Sequence, residues 1–309
     1  MPNEQIVTVC DGAAPPRLSV LTPFYAHDPA PLLRAMAKAP AGVEFVLLDD
    51  GSGSAALLAG VIAAAEATAA STRIVVWGKN QGRAAARNRL VAEARGEYVL
   101  FLDADMLPDN QRFLSIWLGV IATQAPLAAF GGLSLARAQR TPETALHYAM
   151  FGRSDCLRAS ARARRPAQSV ASANLMVRRD FLTAHPFDEG FTGWGFEDVD
   201  WALAAGRDAD ILHVDNPATH TGLDDFDTLL RKSVQAGPNF ARLARKHPRE
   251  VQRFAAHRVA RALRVTPGRQ TQRRIYSWLA RDPLGAAPMR VRTTALKLLR
   301  ASHYAEHLS

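Results

Sequence analysis

Through the first half of the chain, short apolar runs alternate with amphipathic stretches, a pattern that predicts strand–helix repeats around a mainly parallel sheet. Residues 17–22 (RLSVLT), 44–48 (EFVLL), 73–77 (RIVVW) and 98–102 (YVLFL) read as strands. Residues 29–39, 55–68, 83–95 and 109–122 carry helical patterns, the first with a proline near its start. Gly96 is expected to end the third helix as a left-handed cap. The middle is less regular, with short strands predicted at 130–135, 172–177 and 211–214 and a mobile basic loop at 153–167. Beyond Asp227 no strand is predicted. Residues 228–247, 249–265, 271–280 and 290–301 read as helices separated by proline-containing breaks.

In an open α/β sheet, ligands gather beyond the carboxyl ends of the strands. Here those ends read Thr22-Pro23-Phe24-Tyr25, Asp49-Asp50-Gly51-Ser52 and Asp103-Ala104-Asp105. Two acids spaced i, i+2 at a strand end can reach one divalent cation and a ribose. Arg83 and Arg87 sit i, i+4 on one helix face, beside Asn88, and a guanidinium pair can hold a diphosphate bidentately. A second acid pair, Glu197-Asp198, follows Trp194. An indole face stacks on the apolar face of a pyranose, and a carboxylate can take a proton from its hydroxyl.

Charge separates the tail from the rest. The 309 residues carry a net +9, but residues 228–309 hold 18 Lys/Arg against 3 Asp/Glu, and residues 1–227 hold 20 against 26. Such a tail favours an anionic partner, whether a lipid surface, a phosphorylated acceptor or nucleic acid. Its helix 249–265 sets Val251, Phe254, Ala262 and Val265 among arginines, as helices lying on anionic lipid do. Capping the catalytic domain or forming a homodimer contact are the other uses open to it. Few aromatics and no recognition motif argue against nucleic acid. Only Cys10 and Cys156 are present, which fits a reducing compartment. Residues 1–16 lack the pattern of a signal peptide, and no apolar run is long enough to span a bilayer.

The ordered set of Thr22-Pro23-Phe24-Tyr25, Asp49-Asp50-Gly51-Ser52, Asn80-Gln81-Gly82, Ala86-Arg87-Asn88 and Asp103-Ala104-Asp105 resembles the family 2 glycosyltransferases of GT-A fold. Asn174, Pro186-Phe187-Asp188 and Gly193-Trp194-Gly195-Phe196-Glu197-Asp198 continue it, and the last segment is similar to the acceptor side of galactosyl- and N-acetylgalactosaminyltransferases. The likeness covers residues 17–222. It implies an α/β GT-A domain at 15–225, a mainly parallel sheet flanked by helices, followed by a basic helical extension at 226–309. It further implies inverting, metal-dependent transfer from a nucleotide-diphosphate sugar, UDP-linked by expectation, to a saccharide or lipid-linked glycan.

Under that resemblance Asp105 and His220 hold Mn²⁺ or Mg²⁺ and Asp103 lies near the ribose. Either Asp49 or Asp50 accepts the uracil imide. Thr22, Pro23, Phe24 and Tyr25 border the base, and Arg83, Arg87 and Asn88 hold the diphosphate. Asp198 is the general base, Trp194 and Glu197 orient the acceptor, and His213 is structural. The expected location is cytoplasmic, peripheral at the inner membrane face through residues 228–309. A non-catalytic glycan- or anionic-lipid-binding protein on the same scaffold is the alternative.

Overall fold

The computed structural model describes residues 4–11 and 15–308. The apolar runs form strands buried along almost their whole length, as strands covered on both faces must be. In chain order the strands are β1 (Glu4–Cys10), β2 (Leu18–Phe24), β3 (Val43–Asp49), β4 (Ser71–Trp77), β5 (Tyr98–Phe101), β6 (Met106–Pro108), β7 (Ala128–Phe130), β8 (Leu133–Ser134), β9 (Leu175–Arg178), β10 (Ile211–His213) and β11 (Ala218–His220). The helices are α1 (Ala30–Ala35), α2 (Ala55–Glu66), α3 (Arg83–Glu93), α4 (Phe113–Gln124), α5 (Ala145–Ser154), α6 (Ala159–Arg162), α7 (Arg179–Ala184) and α8 (Glu197–Ala205). A C-terminal set follows: α9 (Phe226–Lys246), α10 (Pro248–Val251), α11 (Ala255–Val265), α12 (Arg269–Arg281) and α13 (Met289–His307).

The main sheet has the order β1-β4-β3-β2-β5-β9-β7-β10. β4, β3, β2 and β5 are parallel, while β1 and β9 run antiparallel to their neighbours. Register brings the strand ends level. Phe24 pairs with Asp49 and Leu21 with Phe101. The ladder continues one step past the strands, as Asp50 N donates to Phe24 O at 2.8 Å and Leu102 N to Leu21 O at 3.0 Å. A second sheet, β6-β11-β8, crosses that edge and lays His220 opposite Met106.

Several expectations need correction. The predicted strand 130–135 is two strands, β7 and β8, in different sheets. The chain must part at Gly131, where a Cβ would lie 2.4 Å from the Asn174 amide. The basic 153–167 segment is not a loose loop, because α6 and a short 3₁₀ turn run through it and Arg162 is 2% exposed. Its guanidinium donates to Val214 O at 2.7 Å and to the Leu157 carbonyl. Gly96 is not a left-handed cap. It is glycine for closeness, since a Cβ there would meet Ser19 N at 2.8 Å. The helix predicted over 249–265 breaks into α10 and α11 around Gln252–Phe254. β1, β6 and β11 were not anticipated.

The C-terminal helices share cores with the preceding region. Phe191 and Leu203 pack with Phe240, Leu243 and Tyr304, while Leu146 and Met150 pack with Leu229, Leu296 and Leu299. Among the described residues no helix is long and apolar enough to cross a membrane.

Candidate active site

The two Asp residues that end β3 are both buried but differ in what they hold. Asp50 accepts Gln81 N at 2.6 Å through Oδ1 and Gly82 N at 3.0 Å through Oδ2, fastening the 80–82 loop with both oxygens. Burial pushes its pKa up against those two bonds. Gly51, at φ +80°, lets the loop approach, for a Cβ would lie 2.4 Å from Asn80 N. Asp49 accepts Ser52 N at 2.8 Å through Oδ1, while its Oδ2 makes no hydrogen bond among the described residues. Asp49 also lines a cavity of about 300 Å³ with Gly53, Ser54, Val76 and Trp77. Thr22 and Phe24 are buried, Pro23 is half-buried and Tyr25 is exposed.

Arg87, one turn beyond Arg83 on α3, is the hinge pin of the site. Its guanidinium is 1% exposed and makes two charge-assisted bonds, Nη2 to Asp103 Oδ1 at 3.1 Å and Nη1 to Glu197 Oε1 at 3.0 Å. Burial alone would lower its pKa, but the Asp103 and Glu197 charges outweigh that and raise it. Arg83 is exposed and lies 4.0 Å from the same Glu197 oxygen. Asn88 faces elsewhere. Its amide donates to Phe187 O and Glu189 Oε1, both at 2.9 Å, and accepts Phe187 N at 3.0 Å, so it fixes the 187–189 loop.

The segment that enters α8 has positive φ at Gly193, Gly195 and Phe196, of which Phe196 (φ +74°) is not glycine. Backbone held in that region costs energy and persists only when its surroundings impose it. Asn239, buried on α9, imposes it here. Its Nδ2 donates to Thr192 O at 2.9 Å and Gly195 O at 2.9 Å, with Trp194 O at 3.3 Å. α9 also grips the segment through Arg242 and Lys246 on Asp188 and through Lys246 and His247 on Asp200. Asp198 is half-buried beside Glu197. Burial, then the Glu197 charge, raises its pKa to about 7. Burial would raise Glu197 too, but Arg87 and Arg83 hold it below the usual carboxylate range. Trp194 is half-buried, with Lys232 Nζ 5.7 Å from its ring centre.

Asp105 and His220 meet at the crossing of the two sheets, with Asp105 Oδ2 3.1 Å from His220 Nε2. Thr221 locks the approach, its N and Oγ1 both donating to Asp105 O, at 2.9 and 2.8 Å. His220 stacks on Phe151 at 5.0 Å and meets the edge of His147 at 5.8 Å. Burial would raise Asp105, but His220 brings it down to about 2. Among the described residues no group of three or more His, Cys, Asp or Glu is placed to hold a metal ion by itself. The protein thus offers one carboxylate and one imidazole here. That donor pair fits Mn²⁺ better than Mg²⁺, which prefers oxygen alone.

Sequence reasoning missed Asn239 and Gly222. A Cβ on Gly222 would lie 2.1 Å from Asp105 Oδ2, so glycine leaves the space in which that carboxylate sits. The break Gly237-Pro238-Asn239 inside a long helix was the available signal for Asn239. None existed for Gly222. His213 is structural as expected, holding Arg162 Nε at 3.2 Å and Pro166 O at 3.2 Å.

The fold has counterparts among solved structures. Residues 19–155 match the family model described as Glycosyl transferase family 2. No curated protein matches the sequence. Among solved structures, S. aureus TarS 1–349 in complex with UDP-GlcNAc aligns over 94% of this chain and 90% of its own, at 18% identity and TM-score 0.55. The mannosyltransferase PcManGT from Pyrobaculum calidifontis, in complex with GDP-Man and Mn²⁺, aligns over 94% and 86% at 18% identity and TM-score 0.58. Glucosyl-3-phosphoglycerate synthase from Mycobacterium tuberculosis, with Mg²⁺ and UDP, aligns over 75% and 79% at 18% identity and TM-score 0.50. At such identities the likeness is one of fold: an α/β, mainly parallel sheet flanked by helices, with a helical C-terminal region.

Proposed function

We propose that this chain is a family 2 glycosyltransferase of GT-A fold that moves a hexosyl group from a UDP-linked donor to a hydroxyl of a saccharide or lipid-linked glycan, with inversion at the anomeric carbon. The observation that carries this reading is the Arg87 bridge. It ties Asp103, just beyond β5, to Glu197, the neighbour of Asp198, so the two acid clusters lie side by side.

Asp105 and His220 would hold Mn²⁺ or Mg²⁺, which when bound offsets the charge of the departing diphosphate. Asp103 takes the ribose. Asp49, with one oxygen uncommitted, takes the uracil imide; Asp50 holds the 80–82 loop instead. Arg83, exposed at the start of α3, meets the diphosphate. Glu197 and Arg87 neutralise each other and keep the cleft's wall in place. Trp194 supplies the stacking face for the acceptor, in keeping with the likeness of 193–200 to galactosyl- and N-acetylgalactosaminyltransferases.

Asp198 accepts the proton of the acceptor hydroxyl as that oxygen bonds to the anomeric carbon. The bond from that carbon to the diphosphate oxygen breaks, and its electrons leave with the diphosphate. A base on the side of the anomeric carbon opposite the diphosphate would make the displacement in-line and therefore inverting. The Arg87 bridge between the two acid clusters favours this reading over a non-catalytic module.

Release of UDP from UDP-hexoses in Mn²⁺ tests the proposal. Asp198→Asn should lose turnover and still bind UDP by calorimetry. Wild-type turnover in that variant would remove Asp198 as the base.

A further inference from the structure

The basic tail was expected to meet lipid through helix 249–265, but the structure turns Val251 and Phe254 of that stripe into the C-terminal core and leaves Ala262 and Val265 exposed, Val265 at 84%. A broader apolar surface lies one helix further on. α12 presents Arg274, Ile275 and Trp278 outward, with Ile275 50% and Trp278 52% exposed, while Arg281 is tied back to Asp227 and Phe226 of α9. The turn into α13 adds Leu284 at 74% and Val291 at 41%. Leu284 is held out by an ordered turn, because Asp282 Oδ1 accepts Ala286 N and Ala287 N, both at 3.0 Å. The inner side of α12 packs through Tyr276, Leu279 and Ala280 on a core that includes Leu146 and Met150 of α5. α5 also carries His147 and Phe151, which flank His220.

Charge selects the occupant. Residues 255–300 carry eleven Lys/Arg and one acid, Asp282. Arg258, Arg261, Arg264, Arg269, Arg274, Arg290, Lys297 and Arg300 form no ion pair among the described residues, unlike Lys232, Arg242 and Lys246 of α9, which are bound to Asp188, Asp200 and Asp224. A second copy would set arginine against arginine across this face. An anionic bilayer supplies phosphates for Arg274 and Arg290 and an interface for an indole and two aliphatic side chains.

We propose that the α12–α13 turn docks the protein on an anionic phospholipid bilayer, with Trp278, Ile275 and Leu284 entering the headgroup region. The docking is independent of which sugar is moved. Taken with the transferase reading, it selects a lipid-linked acceptor over a free glycan.

The test is co-sedimentation with vesicles of phosphatidylcholine mixed with phosphatidylglycerol, against phosphatidylcholine alone. The protein should pellet with the anionic vesicles and release in high salt. W278S/L284S and R274E/R290E should each weaken partitioning about tenfold or more, with solution hydrolysis of the UDP-sugar unchanged. Pelleting that ignores phosphatidylglycerol, or that both variants retain, overturns the proposal. So does a concentration-dependent dimer that W278S/L284S dissociates, which would make the face a protein contact. Loss of hydrolysis with vesicle binding intact would count against the transferase reading alone.

Discussion

Asp105 and His220, from segments far apart in sequence, face each other at 3.1 Å where the small sheet crosses the edge of the large one. A turn beyond β11 lies against them, and a Cβ at Gly222 in that turn would fall 2.1 Å from Asp105 Oδ2. Asp105→Ala should therefore reduce Mn²⁺-supported turnover about a hundredfold to a thousandfold. Gly222→Ala should fold normally and reproduce much of that loss, because its methyl displaces the Asp105 carboxylate. Thermal shift on adding Mn²⁺ with UDP reads the effect without turnover: wild type should gain stability and both variants little. A Gly222→Ala protein with an undiminished Mn²⁺ response would show that Asp105 is not the ligand.

Asp198 gives the pH dependence. Its carboxyl is raised to about 7, first by burial and then by Glu197. A base must be ionised to act, so kcat/KM should rise with pH and level off above about pH 7. The stability effect has the opposite sign. A carboxyl raised in the folded state binds its proton more tightly there, so the stabilisation is complete below the ordinary carboxylate pKa and is lost as pH rises through about 7. Asp198→Asn should raise Tm at about pH 8 more than at about pH 5. A flat pH–rate profile, or an equal change in Tm at both values, would contradict this.

Arg87 is the member of the site that cannot be removed cheaply. Arg87→Ala leaves Glu197 buried without its partner and should cost about 3–5 kcal/mol in chemical denaturation. Lys has one charged nitrogen where two carboxylates are bridged by a fork, so Arg87→Lys should recover little. Arg87→Met combined with Glu197→Gln should be less damaging than the sum of the two single changes, as a double-mutant cycle would reveal. Strict additivity would mean that the bridge contributes nothing of its own.

Much of this was legible in the sequence because it is local. β2 to β5 announce themselves as apolar runs, and the acids that follow each run arrive at one edge because parallel strands end together. The pairing of Asp105 with His220 is not local and came from the resemblance alone. What depends on distant pairing was not legible. β6, β8 and β11 are two or three residues long and exist only because they pair with one another. Asp49 and Asp50 look alike in sequence, and only the 80–82 loop distinguishes them. Glu197 reads as an acceptor contact until Arg87 is found against it. The tail's charge reads as one surface, yet α9 uses its cations on Asp188, Asp200 and Asp224 while α12 leaves Arg274 unpaired.

α9 therefore belongs to the site, and Asn239 is where this is best measured. One side-chain amide satisfies carbonyls of Thr192, Trp194 and Gly195 while the backbone runs through positive φ at Gly193, Gly195 and Phe196. Asn239→Ala leaves those carbonyls without a buried donor, at a cost of about 1–3 kcal/mol. The loop can then relax toward ordinary φ, carrying Trp194 and the start of α8 with it. Donor contacts at β2, β3 and β5 are untouched, so UDP affinity should hold while the acceptor KM rises about tenfold, a loss of about 1.4 kcal/mol of acceptor binding. Asp198 should also become better hydrated, which moves the midpoint of the kcat/KM profile below about pH 7. A variant that loses stability but keeps both the acceptor KM and that midpoint would reduce Asn239 to a packing residue and detach α9 from catalysis.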